Sequence, residues 1–377
     1  MTGANGGGLS DVPWRYVQCQ RQWLLRRLVG MSAADFDECI EKIHGPRKKQ
    51  QKREISMSFN HMAIFTLTDE ERSDAFEGFF IYDCAIRDKS SLSFLLLQNI
   101  EDSASGDRRL LNYFPYDEDR ERLSWTDYEG FRRPRLGVSE IPKNQAVLFG
   151  GPNAVAVLGG GDDGMEDNIS KESTFSCFNW AKIEGYMYVV GPWRSAAKRI
   201  GPSEWQSIVG DRSTLPLPPK VGASNDGGFD AIDGFSATDI YCVGGKGDAW
   251  RYDGKRWYQC VVPTNMYFES VCCAGDGYVY IGMQSGSVMR GREDSWEIIH
   301  RDEMTLAFKD MVWFDGKVWC TSDYGLWVIE NGRLKEADVP PEVTYCSGNL
   351  SVGDGVMLLA GMYGATVYDG REWQRIL

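Results

Sequence analysis

The chain has 377 residues, 42% of them hydrophobic and 25% charged, with a formal net charge of −13. That is a globular composition, long enough for two average domains or one large all-β domain. The acidic balance excludes a nucleic-acid backbone as the natural partner and makes a basic protein the better electrostatic match. No apolar run reaches the length of a membrane span, and residues 1–10 are polar and Gly-rich without the apolar stretch of a secretory signal; the sequence therefore predicts a cytoplasmic protein with no membrane partner.

In chain order, residues 16–29 carry Val17, Trp23, Leu24, Leu25 and Leu28 among Arg and Gln, the pattern of an amphipathic helix ending at Gly30. Ser32 then caps a second helix over 33–43, with Gly45 beyond its end. The basic run PRKKQQKR at 46–53 has no interleaved aromatics and reads as a solvated linker. Residues 1–54 are thus expected to form a helical N-terminal extension, and 55–377 the main domain. From Ile55 the texture is that of strands, at 57–67, 76–86 and 92–97, separated by charged turns. Residues 102–135, crowded with Asp, Glu and Arg, read as a long insertion or a degenerate repeat unit. Clearer is a strand pair at 146–149 and 154–158, joined by Gly-Gly-Pro-Asn.

The C-terminal half repeats. IYCVGG begins at Ile240, VYIGMQ at Val279, VWCTSD at Val318 and MLLAGM at Met357, each start 39 residues after the last. Gly247, Gly286, Gly325 and Gly364 keep the spacing in the turn that follows, and Asp276-Gly277, Asp315-Gly316 and Asp354-Gly355 keep it in the turn before. Asp-Gly between two β runs predicts a type I′ hairpin, whose two central residues both need φ > 0. A third strand follows (AWRYDG from Ala249, LWVIENG from Leu326), and a fourth begins near Trp257, Trp296, Leu334 or Trp373. Between them lie Asp253-Gly254, Asn331-Gly332 and Asp369-Gly370. Three hairpins in about 39 residues make a four-stranded antiparallel sheet whose apolar face only a neighbouring copy can cover, so the copies stack radially. An earlier copy starts at Met187, with extra residues in the Pro/Gly-rich stretch 216–228 that should form a surface loop. The fold expected is an all-β β-propeller of about seven four-stranded blades, between six and eight.

Several of the ten cysteines follow the same register. Cys242 and Cys320 fill the position held by Ile281 and Leu359 in neighbouring units; Cys260 matches Ile299 and Leu377, and Cys272 matches Met311 and Leu350. Cysteines that exchange with aliphatic residues act as small buried hydrophobes and imply a reducing compartment. The three histidines, His44, His61 and His300, form no metal-spaced pair, and no nucleophile elbow is present, so neither metal, cofactor nor catalytic set is expected. The glycine-rich run 159–164 lacks the Lys-Ser/Thr ending of a phosphate loop and the spacing of a Ca²⁺ loop, and reads as a solvated inter-strand loop. Arg194, Arg199 and Tyr324 are the residues a sialidase-like channel site would recruit. The alternatives to a binding protein are accordingly a carbohydrate-active enzyme or lectin with its site at the channel, or a scaffold subunit.

Gly244-Gly245, Tyr252 and Trp257 give the unit at 240–260 a resemblance to a kelch repeat. Over 229–377, the motifs DGFSATDIYCVGG, FKDMVWF and VWCTSDYGLWVIENGRL resemble bacterial propeller-repeat proteins that accompany polymorphic toxins of type VI secretion and Rhs-type systems. The resemblance implies a non-catalytic immunity protein that neutralises a cognate secreted toxin by direct binding, and the acidic charge of the chain makes a basic toxin domain the expected partner.

The binding face is expected where turns between second and third strands meet the links between blades. Those turns carry Trp193 and Arg194, Lys246, Gln284, Asp323 and Tyr324, and Met362 and Tyr363. Aromatics mixed with Arg and Asp are what protein interfaces concentrate at their energetic centres.

Overall fold

The computed structural model describes residues 67–377 except 101–105, 117–121, 152, 171–174, 219–226 and 302–305. The expected helical extension, its basic run, His44, His61 and the expected strand 57–67, apart from its last residue, lie outside the described residues. Seven four-stranded antiparallel sheets follow one another, each built from four consecutive strands. They occupy 79–128, 132–166, 179–207, 231–259, 268–300, 310–336 and 349–375, and are numbered here as blades 1 to 7. Their first strands (Phe79–Asp88, Arg132–Ser139, Asn179–Ile183, Ala231–Ser236, Phe268–Cys273, Asp310–Phe314 and Asn349–Gly353) touch in cyclic order, the last beside the first. The chain folds as a seven-bladed β-propeller with these strands innermost.

The second strands explain the near-continuous apolar runs of the repeat. A strand inside a blade is covered on both faces by neighbouring blades, so both sets of alternating side chains must be apolar. In Asp239–Gly244 of blade 4, Ile240 and Cys242 pack with Tyr188 and Val190 of blade 3, while Tyr241 and Val243 pack with Val271 and Ile281 of blade 5. Cys242, Cys272 and Cys320 are buried free thiols in these inter-blade layers, as their exchange with Ile, Met and Leu predicts, and burial pushes all three thiols up from their ordinary range. Outer strands are anchored by aromatic stacking: Trp257 lies 5.0 Å from Tyr252, and Trp373 4.7 Å from Tyr368, between ring centroids.

The turns divide into two kinds. Asp315-Gly316, Asn331-Gly332 and Asp354-Gly355 have both central residues at positive φ, as type I′ requires. At Gly254, Gly277 and Gly370 only the glycine is left-handed. There the preceding aspartate folds the chain through its side chain. Asp253 accepts from the amides of Lys255 (2.8 Å) and Arg256 (2.7 Å), and Asp369 from Arg371 (2.8 Å) and Glu372 (2.9 Å). The Asp-Gly pair thus supports two geometries, since Asp supplies either a tolerated left-handed residue or a backbone acceptor.

Three expectations are corrected. Residues 102–135 are not an insertion: they supply the third and fourth strands of blade 1, Arg108–Tyr113 and Leu123–Tyr128, and open blade 2. Their charges are spent along the outer strands, as in the Arg109–Asp127 pair at 2.8 Å. Residues 69–76 form a helix ahead of the first strand, started by a reciprocal capping box between Thr68 and Glu71. The glycine run at 159–164 is a tight hairpin, with Gly159 paired to Asp162 and a strand at Asp162–Glu166, rather than a loose loop.

Side chains on the inner strands stitch successive blades together. Leu136 N–H donates to Asp83 (2.9 Å), Arg135 to the Phe178 carbonyl (2.9 Å), Cys273 N–H to Asp233 (2.7 Å), Ser270 to the Phe308 carbonyl (3.0 Å) and Leu350 N–H to Asp310 (3.0 Å). Blade 7 joins blade 1 the same way: Ile86 N–H donates to Ser351 (2.9 Å), and Asn349 donates to the Tyr82 carbonyl (3.0 Å). Among the described residues no sheet borrows a strand from the other end of the chain, and this seam is held by side chains and by a shared core that includes Ile86, Phe94, Leu358 and Val367.

Candidate functional site

Strands alternate in direction within a blade. The turn between second and third strands therefore emerges at the end where the inner strand begins, together with the link from the preceding blade. Six of the twelve exposed large apolar or aromatic side chains among the described residues lie on that face: Ile100, Leu217, Val261, Tyr267, Tyr324 and Tyr363. The opposite rim carries two, Ile141 and Tyr278. This asymmetry selects the first face as the candidate site, because exposed apolar groups concentrated on one face mark interaction surfaces.

All eight residues expected at the site lie on this face, with different freedom. Lys246, Gln284, Tyr324 and Tyr363 are exposed, whereas Trp193, Asp323 and Met362 are half-buried. Arg194 is buried. Its guanidinium holds Asp248 with two bonds of 2.8 Å, donates to the Pro216 carbonyl at 2.6 Å and lies 4.7 Å from the Trp250 ring centroid. It is a clamp between blades 3 and 4, and is not available for contact. Arg199 lies in another junction, fully buried against Glu166 and Gln145. The two arginines therefore do not converge on Tyr324.

The Arg194 clamp explains the turn above it. Trp193 and Arg194 have φ of 61° and 53°, a left-handed pair without glycine that costs roughly 1 kcal/mol per residue. Trp193 N–H bonds the Gly227 carbonyl at 2.9 Å, and Arg212 reaches the Trp193 carbonyl at 3.2 Å. Strain tolerated under that many restraints is a feature of ligand clamps.

Two groups on this face were not foreseen. Tyr267 sits in the link between blades 4 and 5, pinned by reciprocal bonds with Gln284: its N–H donates to the Gln284 side chain at 3.0 Å, and Gln284 N–H donates to its carbonyl at 2.9 Å. The ammonium of Lys246 lies 5.5 Å from the Tyr267 ring centroid. The other group is acidic. Glu269 is exposed on an innermost strand, between the buried Phe268 and Ser270, so it meets water at the channel mouth. Protein encloses it on most sides, and this enclosure, with Asp230 nearby, pushes its carboxyl up to about 7. Burial likewise raises Asp230 to about 6, against the bond it accepts from Gly245 N–H at 3.1 Å. The 39-residue register sets Tyr267 level with Leu306 and Tyr345 of the later links, a signal that the turns alone do not carry. In the 39-residue register Glu269 falls level with Asp230, Phe308 and Ser347, so the repeat itself sets the two carboxylates at matching positions of neighbouring blades.

Among the described residues no helix is long and apolar enough to cross a membrane, and no group of three or more His, Cys, Asp or Glu side chains could hold a metal ion. No protein-family model matches the chain. Solved structures similar to it include YCF48 from Cyanidioschyzon merolae (TM-score 0.52, 12% identity, 77% of this chain and 95% of that one) and the WD40 propeller domain of Doa1 (TM-score 0.52, 11% identity, 78% and 96%). At those identities the likeness concerns the fold alone. A nearer relative is immune protein Tsi7 of Pseudomonas aeruginosa, 36% identical over 242 residues that span 62% of this chain and 76% of the relative. An identity of that size across three quarters of the relative places the chain in the family of the immune protein Tsi7.

Proposed function

We propose that the chain is an immunity protein that binds a cognate secreted bacterial toxin and blocks it without turnover. Its membership in the Tsi7 family carries this reading. A rigid seven-bladed disc with aromatic groups gathered on one face suits binding. The docking surface is the face of second-to-third-strand turns, with Trp193, Lys246, Gln284, Asp323, Tyr324, Met362 and Tyr363 in contact and Arg194 holding the Trp193 turn from beneath. The toxin domain is basic, and the net charge of −13 speeds encounter with it. Protection takes place in the cytoplasm.

Titration tests this. The toxin gene neighbouring this one is expressed with and without the protein, and the purified toxin domain is titrated with it. Rescue of growth, a one-to-one complex and inhibition that saturates at equimolar protein are expected. A neighbouring toxin that harms no cell in the protein's absence would remove the reading, and protection at a small fraction of equimolar would replace binding with enzymatic inactivation.

A further inference from the structure

Within that face, Tyr267 and Tyr324, 42% and 46% exposed, belong to the links and turns around blades 5 and 6, with Val261 (76% exposed) in the same link as Tyr267. Two residues on from Tyr267, at the channel mouth, Glu269 lies near Asp230: Asp230 accepts from Gly245 N–H, the Gly245 carbonyl accepts from Phe268 N–H at 3.0 Å, and the Asp230 charge reaches Glu269. Neither forms an ion pair with any described residue. Asp230 has one side-chain bond, from a backbone N–H, and the nearby Asp248 is already saturated by Arg194. Arg135, the cation whose charge reaches Asp230, donates to the Phe178 and Pro134 carbonyls and the Tyr82 hydroxyl, and Lys309 stands 3.9 Å from Asp323 and 5.5 Å from the Tyr82 ring centroid. The corner therefore combines two carboxylates that form no ion pair with a described residue and an exposed tyrosine that already faces one ammonium, that of Lys246. A carboxylate pair and an aromatic face both favour a cation, and both gain strength when an apolar surround excludes water.

Resting on the reading of this face as the toxin-binding one, we propose that the Tyr267–Glu269–Asp230 corner is the docking point for a lysine or arginine side chain projecting from an otherwise apolar patch of the toxin. The apolar surround seats on Val261, Tyr324 and Tyr363, while the cation enters the channel mouth. Lys246 yields its place over Tyr267 or shares the ring.

The experiment uses the full-length protein and the toxin domain encoded beside its gene, with affinity measured by calorimetry. Glu269→Gln keeps size and polarity and should weaken binding about tenfold or more while flattening its salt dependence. Glu269→Lys should abolish binding, and reversing one toxin lysine or arginine to Glu should restore it. Thermal unfolding of both variants checks that they remain folded. Weakening by Tyr324→Ala with Glu269→Gln and Glu269→Lys both silent would overturn the cation while leaving the face as the docking surface. A complex whose affinity none of these variants changes would overturn the docking face itself.

Discussion

Arg194 shows how a residue type can mislead about its role. Arginine in a rim turn beside tryptophan is what an interface concentrates, yet Asp248, close in space and 54 residues away in sequence, claims its Nε and one terminal nitrogen, and the Pro216 carbonyl takes the other. Arg194→Ala leaves Asp248 largely buried without its cation, with only the Trp250 indole N–H still donating to it at 2.7 Å, and should cost about 3 kcal/mol in urea unfolding. Tyr324→Ala and Tyr363→Ala, on exposed turns, should change stability by less than about 0.5 kcal/mol while weakening toxin binding. Equal stability losses in the two groups would refute the distinction. Asp233 carries a second test at this scale. Burial raises its carboxyl to about 6, against the bonds it accepts from Cys273 and Gly234, whereas in the unfolded chain it titrates near 3.8. Between those values the folded protein binds the extra proton. The stability contributed by this group is therefore greatest below about pH 4 and is lost as pH rises through 6. Comparing melting at pH 7.5 and pH 5.0, Asp233→Asn should gain less on acidification than the parent, by about 1 kcal/mol or roughly 2 °C. A variant that tracks the parent at both values would show that Asp233 is ionised throughout.

At the scale of the strand and turn, the 39-residue spacing was enough to place the second, third and fourth strands of blades 4 to 7, because a strand covered on both faces must be apolar throughout and its turns must be small or left-handed. The boundary of blade 1 was less legible. Its third and fourth strands carry Arg109, Asp127 and other charges that pair across the outer surface, and charge-rich strands look like loops when read alone. Turn type was half legible, since Asp-Gly specifies a reversal without specifying which of two geometries produces it. Removing the side-chain acceptor separates them. Asp253→Ala should lose two backbone bonds and about 1 kcal/mol, whereas Asp315→Ala, at a left-handed position with no comparable pair of bonds, should lose chiefly the backbone strain term. Guanidinium midpoints for the two variants, set beside Asp253→Asn, measure the difference. If Asn at 253 fails to recover most of the loss, the acceptor account is wrong.

For the whole ring, the sequence revealed the fold but not the contacts between blades, because the inner-strand residues that bridge them, Asp83, Asp233 and Asp310 with Ser270 and Ser351, do not fall on the 39-residue register. Only when the strands are placed does a common task appear. The seam is the sharpest case. Ser351→Ala leaves the buried Ile86 N–H without its acceptor and should cost about 1–3 kcal/mol. Hydrogen exchange should place the opening at blades 1 and 7 ahead of the rest of the ring, and uniform protection around all seven blades would contradict this. The way the ring closes also bears on how such a protein changes over generations. Since every sheet is spelled by one uninterrupted stretch of gene, an in-frame duplication or loss of about 39 codons adds or removes a complete blade and tears no sheet apart. Lineages facing new toxins can therefore vary the circumference of the disc as readily as the residues on its rim.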